Sequence, residues 1–286
     1  MKEGSPQFDP DYQPYDGRRL SYAVTFTNPV QRRIIRLIEL LTAKRHLLKA
    51  VRRFEALGVP IGQNFFTRAL EVMDIRLDTP EAEIARIPKS GPLIVTANHP
   101  HGLVDGIVLA ELIGRVRTDY KILTRSLLTG VTEVDPFMIP VPFAHDEDAL
   151  ERNLEMRRAA MAHLKDGGVI VLFPAGVVAS SDTPFGPVIE RKWNPFTAKM
   201  VLRSGATVLP VRFPDQNSRA YQIAASTSST LRQGLLLYEV KHAMGKAQRP
   251  YFGQPIPPTE LEDWRDNPSG LTEWLRQTVM NLGPQN

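Results

Sequence analysis

A histidine and an aspartate in one short polar segment have the residue types expected of a general base and its orienting carboxylate. The segment reads Asn-His-Pro-His-Gly-Leu-Val-Asp-Gly over residues 98–106, so five residues separate His99 from Asp105. A nearby carboxylate fixes the tautomer of an imidazole and stabilises its charged form, which lets the far ring nitrogen accept a proton from a hydroxyl group. Two glycines, Gly102 and Gly106, give the backbone the freedom to bring the carboxylate onto the ring.

Other interpretations of this segment stay open. His101 is a competing candidate for the base, with three residues between it and Asp105. Asp105 can also cap the helix that follows, which is a purely structural role. A zinc-dependent hydrolase would need His99, His101 and Asp105, together with the distant His145 and Asp146. The His-x-His-x-Asp-His pattern of one such class is not met, and we expect neither a metal nor another cofactor.

The segment lies between a predicted strand and a predicted helix. Residues 92–97 form a short apolar run typical of a buried strand, and residues 106–114 are typical of an apolar helix. Further strands are predicted at 121–124, 169–173, 207–213 and 235–240, and further helices at 150–165, 195–204 and 271–281. This alternation predicts an α/β fold with a mixed, largely parallel sheet flanked by helices. Such sheets bind ligands beyond the carboxyl ends of their strands, where residues 98–106 lie.

An N-terminal helical extension is predicted before this sheet. Residues 30–57 have apolar side chains at helical spacing and carry eight arginine and lysine residues. One long helix or two shorter helices fit this pattern, which can lie on an anionic membrane surface or pack on the core. We divide the chain into residues 1–70, an irregular arm with this basic helical region, and residues 71–286, the domain that carries the chemistry.

Composition excludes several classes of chemistry. The 286 residues are 42% apolar and 23% charged, as in a folded globular protein, and none is a cysteine. A thiol nucleophile, cysteine-bound zinc and iron–sulfur clusters are therefore excluded. The sequence also lacks a P-loop, a Gly-x-Gly-x-x-Gly turn after a strand and a Gly-x-Ser-x-Gly elbow. The net charge of +4 favours anionic partners, but the basic residues are not interleaved with stacking aromatics, so we expect no nucleic acid.

The predicted location is the cytoplasmic face of a membrane, with peripheral attachment. The first twenty residues are polar and acidic and do not resemble a secretory signal. The longest apolar run, residues 169–179, is interrupted by Pro174 and Gly176 and is too short for a membrane span, which needs about 20 residues.

Three motifs in order resemble those of the lysophospholipid (glycerolipid) acyltransferase family. They are the 98–106 segment, Phe-Pro-Ala-Gly at 173–176, and the hydrophobic strand at 208–211, which contains Pro210. The resemblance covers roughly residues 72–256. It implies that His99 is the base, that Asp105 orients it, and that the domain at 71–286 is an acyltransferase of membrane lipid synthesis. The implied donor is an acyl thioester on CoA or acyl carrier protein, and the implied acceptor is a hydroxyl of a lyso-lipid.

The resemblance also suggests which residues bind the substrates. They are four residues of the later motifs and two nearby cationic residues: Phe173, Pro174, Gly176, Pro210, Arg125 and Lys192. Further cationic residues near these motifs are Arg191, Arg212 and Arg219, and Trp193 either borders an acyl channel or belongs to the core.

Departures from the family pattern favour an acceptor other than lysophosphatidic acid. The His-to-Asp spacing is five residues instead of four, as in a bacterial subgroup described as haemolysin-like or assigned to ornithine-lipid acylation. Ala175 replaces the glutamate of Phe-Pro-Glu-Gly, and the family's arginine after the 137–143 segment is absent. Both replaced positions help hold glycerol phosphate in the family, so a hydroxyacyl amino acid becomes a more attractive acceptor. A membrane-binding protein without catalysis is the remaining alternative.

Overall fold

A sheet of six strands forms the centre of the computed structural model, which describes residues 12–124, 131–142 and 148–284. Six strands of this sheet and two of a separate pair are numbered together in chain order: β1 (Arg76–Leu77), β2 (Leu93–Ala97), β3 (Tyr120–Thr124), β4 (Met138–Pro140), β5 (Val169–Leu172), β6 (Thr207–Arg212), β7 (Ala247–Gln248) and β8 (Tyr251–Phe252). The order across the sheet is β4-β3-β5-β2-β6-β8, parallel throughout except that β8 runs antiparallel to β6. Strands β1 and β7 form a separate parallel pair. The predicted mixed, largely parallel sheet is confirmed.

Helices cover both faces of this sheet. They are α1 (Pro29–Glu39), α2 (Arg45–Ala56), α3 (Asn64–Val72), α4 (Glu81–Ile84), α5 (Leu103–Gly114), α6 (Ala149–Lys165), α7 (Phe196–Ser204), α8 (Arg219–Thr227), α9 (Ser229–Gly234), α10 (Leu236–Ala243), α11 (Pro258–Leu261) and α12 (Pro268–Met280). Short 3₁₀ turns lie at Tyr22–Thr25, Asp135–Phe137 and Glu262–Trp264.

Two hydrophobic layers sandwich the sheet, because successive strand residues point to opposite faces. In β2, Leu93, Val95 and Ala97 pack with α2, α3, α5 and α10, whereas Ile94 packs with α6, α7 and α12. Every residue of β2 and β5 is buried. This two-sided burial explains why these strands are continuous apolar runs in the sequence rather than alternating ones.

Residues 235–240 form a helix, so the strand predicted there was wrong. They belong mainly to α10, in which Leu237, Val240 and Ala243 are buried at intervals of three residues. A short apolar run has no period long enough to separate a strand from a buried helical turn. The sheet edge is instead completed by β8, which is only two residues long.

The N-terminal region forms one continuous helical rod. Asn28 caps α1 through its side chain and Pro29 takes the first helical position, as expected for a helix start. A π-helical segment, Leu40–Lys44, joins α1 directly to α2. Buried side chains on one side of α2 share a hydrophobic cluster with the sheet. The division of the chain at residue 70 stays a prediction. No helix within the described ranges is long and apolar enough to cross a bilayer.

Candidate active site

The carboxylate of Asp105 is the hydrogen-bonding centre of the loop that follows β2. Its Oδ2 accepts the backbone N–H groups of His101 at 2.9 Å and Gly102 at 3.1 Å, and it lies 3.0 Å from Nδ1 of His99. Its Oδ1 lies 2.9 Å from Nδ1 of His101. The side chain is fully buried in the first turn of α5, where the helix dipole favours a negative charge. Asp105 therefore both caps the helix and pairs with histidine.

Asp105 is ionised in this network. Burial raises the pKa of its carboxyl, but the charge of His101 and the hydrogen bonds from His101 and His99 outweigh burial, so that the pKa lies below its ordinary value. An ionised carboxylate only accepts hydrogen bonds, so Nδ1 of each histidine is protonated and donates to Asp105. In a neutral His99 ring the unprotonated nitrogen is then Nε2, which is the nitrogen a general base needs.

The ring of His99 lies at the edge of a large cavity. It stacks on the ring of Phe173, just after β5, with the two centroids 4.1 Å apart. The His99 backbone is fixed on both sides, since its N–H donates to Glu190 Oε2 at 3.3 Å and its carbonyl accepts the N–H of Ala179 at 2.8 Å. The side chain keeps 18% of its surface exposed and lines the cavity. One edge of the ring is thus bound to Asp105 while the residue remains open to a substrate.

His101 shares the carboxylate but not the cavity. Its side chain is 8% exposed and packs edge-on against Phe213, and it is not among the described residues that line the cavity. Burial lowers the pKa of His101, but the charge and hydrogen bond of Asp105 raise it more, so the pKa lies above its ordinary value. This arrangement favours His99 over His101 as the group that meets a substrate, with His101 holding Asp105 in place.

Asn98 and Gly102 supply the backbone geometry of the loop. The Asn98 amide donates to the carbonyl of Phe213 at 2.9 Å and accepts its N–H at 2.7 Å, which clamps the end of β2 to the end of β6. Gly102 has a φ of 75°, in the left-handed region that favours glycine, and a Cβ there would lie 3.3 Å from Val178. The loop thereby turns sharply enough for its backbone N–H groups to reach Asp105.

A cavity of about 560 Å³ opens beside His99 at the carboxyl ends of the parallel strands. Most of its wall is apolar and comes from both hydrophobic layers of the fold. Representative apolar lining residues are Phe66, Leu103, Ile107, Ile122, Met138, Met156, Leu172 and Val177. Two arginines, Arg157 of α6 and Arg232 of α9, bring positive charge to the wall. Its size and lining suit a mostly apolar ligand that carries a negative group.

The structure brings together some of the residues predicted to bind substrates. Phe173, Pro174 and Gly176 line the cavity beside His99. Lys192 is exposed and Pro210 is buried within β6, and neither is among the described lining residues, so the structure supports no direct substrate contact for either. Arg125 lies outside the described residues.

The remaining cationic candidates are engaged elsewhere. Arg191 pairs with Asp182 at 2.6 Å, and Arg212 and Arg219 donate to the backbone carbonyls of Leu282 and Gly186. Trp193 belongs to the core, with its indole N–H donating to Glu190 at 2.9 Å. Burial raises the pKa of Glu190, whose carboxylate accepts the His99 backbone N–H.

Sequence reasoning missed Arg157, Arg232, Tyr22 and Tyr221, all of which line the cavity. They come from four separate segments of the chain, and none belongs to a motif. The described residues contain no group of three or more His, Cys, Asp or Glu side chains placed to hold a metal ion, and His145 and Asp146 lie outside them.

Comparison with known proteins assigns this α/β chain to a family. A family model described as Acyltransferase matches residues 67–277, which is most of the chain. The chain therefore belongs to this acyltransferase family, and the predicted enzyme class is confirmed.

Two relatives carry the same name, lyso-glycine lipid O-acyltransferase. The protein from Bacteroides thetaiotaomicron is 22% identical over 229 residues, covering 78% of this chain and 80% of its own length. The protein from Phocaeicola vulgatus is 20% identical over 229 residues, covering 78% of each chain. A crystal structure of the 1-acyl-sn-glycerophosphate (LPA) acyltransferase PlsC from Thermotoga maritima aligns with 94% of this chain and 98% of its own, at 15% identity and a TM-score of 0.47.

Proposed function

We propose that the protein transfers a fatty acyl group from an acyl thioester, carried by CoA or acyl carrier protein, to a hydroxyl group of a lyso-lipid. The observation that carries this proposal is the position of His99, which is bonded through Nδ1 to a buried, ionised Asp105 and lines a mostly apolar cavity. A general base at the edge of an apolar cavity suits the deprotonation of a lipid hydroxyl group.

The reaction that this site supports needs no protein nucleophile. Nε2 of His99 takes the proton of the acceptor hydroxyl as its oxygen attacks the thioester carbonyl carbon. The new C–O bond forms and the C–S bond breaks. The departing sulfur then receives the proton from the imidazolium and leaves as a thiol. Asp105 stabilises the imidazolium while it exists, because the buried carboxylate holds a full negative charge 3.0 Å from Nδ1. The absence of cysteine is compatible with this direct transfer.

We further propose that the acceptor carries an amino-acid head group of the lyso-glycine type. Both relatives are named for that acceptor, and the match covers about the same share of this chain as of theirs. Ala175 in place of the glutamate of Phe-Pro-Glu-Gly also removes one usual contact with glycerol phosphate. In an N-(3-hydroxyacyl)glycine the hydroxyl lies on the acyl chain, so that apolar carbon flanks the reacting oxygen, and this suits the mostly apolar cavity that His99 lines.

A thiol-release assay tests the proposed reaction. Purified protein is mixed with acyl-CoA or acyl carrier protein and one acceptor, and free thiol is followed with a chromogenic reagent. The protein adds no thiol signal because it contains no cysteine. We expect N-(3-hydroxyacyl)glycine to be acylated at least roughly tenfold faster than lysophosphatidic acid, the discrimination given by one well-placed polar contact. Thiol release that no lyso-lipid accelerates would contradict acyl transfer to a lipid hydroxyl.

We also propose that the protein works peripherally on an anionic membrane surface, at the cytoplasmic face where thioester donors are found. The supporting feature is an exposed apolar stripe on the N-terminal rod, formed by Val30, Ile34, Leu37 and Leu41. These residues recur at intervals of four, three and four, so they share one helix face. Exposed Arg33, Arg36 and Arg45 neighbour the stripe and provide charge for anionic lipid.

The position of the stripe is also consistent with access for a lipid substrate. The Tyr22–Thr25 turn, directly before α1, contributes Tyr22 and Thr25 to the cavity wall. Helix α1 therefore lies next to the cavity, and a bilayer that contacts its outer face would be close to the substrate site.

Serine substitutions in the stripe test this attachment. The variant Leu37→Ser/Leu41→Ser removes two side chains that are 56% and 75% exposed, and should weaken sedimentation with anionic vesicles roughly 10- to 100-fold. The matched control is Leu150→Ser/Leu154→Ser on α6, where the exposures are 78% and 44%, and it should bind normally. Raising the salt concentration should weaken the arginine contribution only. Equal loss of binding in both double variants would argue against α1 as the membrane-contacting element.

A further inference from the structure

The cavity wall contains an arginine that the catalytic geometry does not use. Arg232 of α9 is half-buried, and within the described part of the chain its guanidinium has neither a salt bridge nor a hydrogen bond. Leaving a partly desolvated cation unpaired is unfavourable unless a ligand supplies the counter-charge. None of the described residues that line the cavity is aspartate or glutamate. An anion inside the cavity would therefore meet no like charge from these residues.

Two tyrosines, Tyr221 and Tyr22, line the same cavity as Arg232. Tyr221 is buried and close enough for the charge of Arg232 to lower the pKa of its hydroxyl, although burial has the larger effect and leaves that pKa above its ordinary value. Burial also raises the pKa of Tyr22, and the neighbouring Tyr221 contributes in the same direction. Both phenols are neutral in the physiological range and can donate hydrogen bonds to an anion. No hydrogen-bond partner of either hydroxyl is found within the described ranges.

Hydrogen bonds hold the backbone near Tyr22 and Arg232 firmly in place. A buried carboxylate, Glu39 of α1, accepts the Ser21 hydroxyl and the Tyr22 N–H, both at 2.6 Å. Gln31 of α1 donates to the Thr230 hydroxyl of α9 at 2.9 Å, two residues before Arg232. Helix α1 thus ties the Tyr22 turn to α9. A guanidinium and two hydroxyl donors that line one cavity on a firmly held backbone suit the binding of an anion.

We propose that Arg232, with the hydroxyls of Tyr221 and Tyr22, binds the free carboxylate of the acceptor head group. The inference rests on the proposed acyl transfer to a lyso-lipid and adds the residues that select an acidic head group. Acylation of the glycine nitrogen uses its amine and leaves one carboxylate, which matches the forked guanidinium in shape and charge. Arg157, the second arginine of the wall, differs because it is exposed and its guanidinium lies 5.0 Å above the ring of Phe196.

A comparison of acidic and neutral acceptors tests this assignment. N-(3-hydroxyacyl)glycine and its methyl ester differ by one negative charge, and both keep the reacting hydroxyl. We expect Arg232→Ala to lower kcat/KM for the acid roughly 10- to 100-fold, mainly through KM, as for losing a hydrogen bond to a charged group. The ester should change by less than about threefold, which also shows that the variant is folded. Arg232→Lys should recover part of the preference for the acid.

The control variant is Arg157→Ala, which should leave the acid-to-ester ratio at its wild-type value. An equal loss for acid and ester in Arg232→Ala, or loss of the preference in Arg157→Ala alone, would overturn the assignment. Preference of the wild type for lysophosphatidic acid, abolished in Arg232→Ala, would assign the site to phosphate instead.

Calorimetric binding of acid and ester in micelles gives a readout that needs no turnover. Wild-type protein should bind the acid roughly tenfold more tightly than the ester, and Arg232→Ala should bind the two equally. If the acid preference is present but no thiol is released, the proposed reaction fails and the carboxylate site stands. If thiol is released but the wild type binds acid and ester equally, the carboxylate site fails and the reaction stands.

Discussion

Replacing His99 with alanine is expected to lower the rate of acceptor-dependent thiol release by about 10²- to 10⁴-fold, the usual contribution of a general base. The alanine leaves the fold intact, because the loop is held by groups other than the imidazole. The backbone N–H and carbonyl of His99 keep their bonds to Glu190 and Ala179, and Asp105 keeps His101 and two backbone donors. The measurement is kcat, with thermal unfolding recorded on the same samples.

Two other histidine variants make this result specific. His242→Ala removes a half-buried imidazole of α10 that contacts Lys246, and it should leave the rate unchanged. His101→Gln should have an intermediate effect, since His101 contacts Asp105 without reaching the cavity. A larger loss in His101→Gln than in His99→Ala would make His101 the base. A chelator should leave the wild-type rate unaltered, and chelator-sensitive turnover would revive the hypothesis of a metal-dependent enzyme.

Replacing Asp105 with asparagine should reduce both activity and stability. The neutral amide cannot stabilise an imidazolium at His99, so kcat should fall by an amount similar to the loss in His99→Ala. The amide also places an NH₂ group among donors: the backbone N–H groups of His101 and Gly102 and the Nδ1–H groups of both histidines. Removing one partner of a buried charge network typically costs about 3–5 kcal/mol in the free energy of unfolding.

The matched control for this variant is Asp182→Asn. The carboxylate of Asp182 is 63% exposed and pairs with Arg191, so its loss should change the free energy of unfolding by less than about 1 kcal/mol. Urea denaturation of both variants gives the comparison. Equal stability of Asp105→Asn and the wild type would show that the network around Asp105 contributes nothing to folding.

The stability difference between wild type and Asp105→Asn should depend on pH in a defined direction. The pKa of folded Asp105 lies below its ordinary value of 3.8, so its contribution is present above pH 3.8 and is lost as the pH falls through the folded value. The pKa of folded His101 lies above its ordinary value of 6.5, so its contribution is present below pH 6.5 and is lost as the pH rises through the folded value. The difference should therefore be greatest between pH 3.8 and 6.5. A difference that grows towards alkaline pH would contradict the ion pair.

Local sequence predicted the four inner strands of the sheet, six of the twelve helices found in the described residues, and the candidate base. Residues 92–97 and 169–173 were recognisable as strands because both faces of the sheet are covered, which makes such strands uniformly apolar. The 98–106 loop was recognisable because the carboxylate, both imidazoles and the glycine turn are within nine consecutive residues, so that their geometry is set almost locally. The π-helical junction at Leu40–Lys44 and the helix at 235–240 were not predictable, since packing against other elements overrides a short local pattern.

Much of the substrate side of the site was decided by tertiary structure. Tyr22, Arg157, Tyr221 and Arg232 line one cavity although they are separated by as many as 210 residues along the chain, and no motif connects them. Conversely, Lys192 follows closely on the Phe-Pro-Ala-Gly motif in sequence, yet it is exposed and absent from the described cavity wall. A base and its carboxylate can be brought together by one short loop, so residues close in sequence are enough to predict them. Selection of an acceptor needs a wall assembled from distant segments, and only the packing of the Tyr22–Thr25 turn, α6, α8 and α9 around the sheet defines that wall.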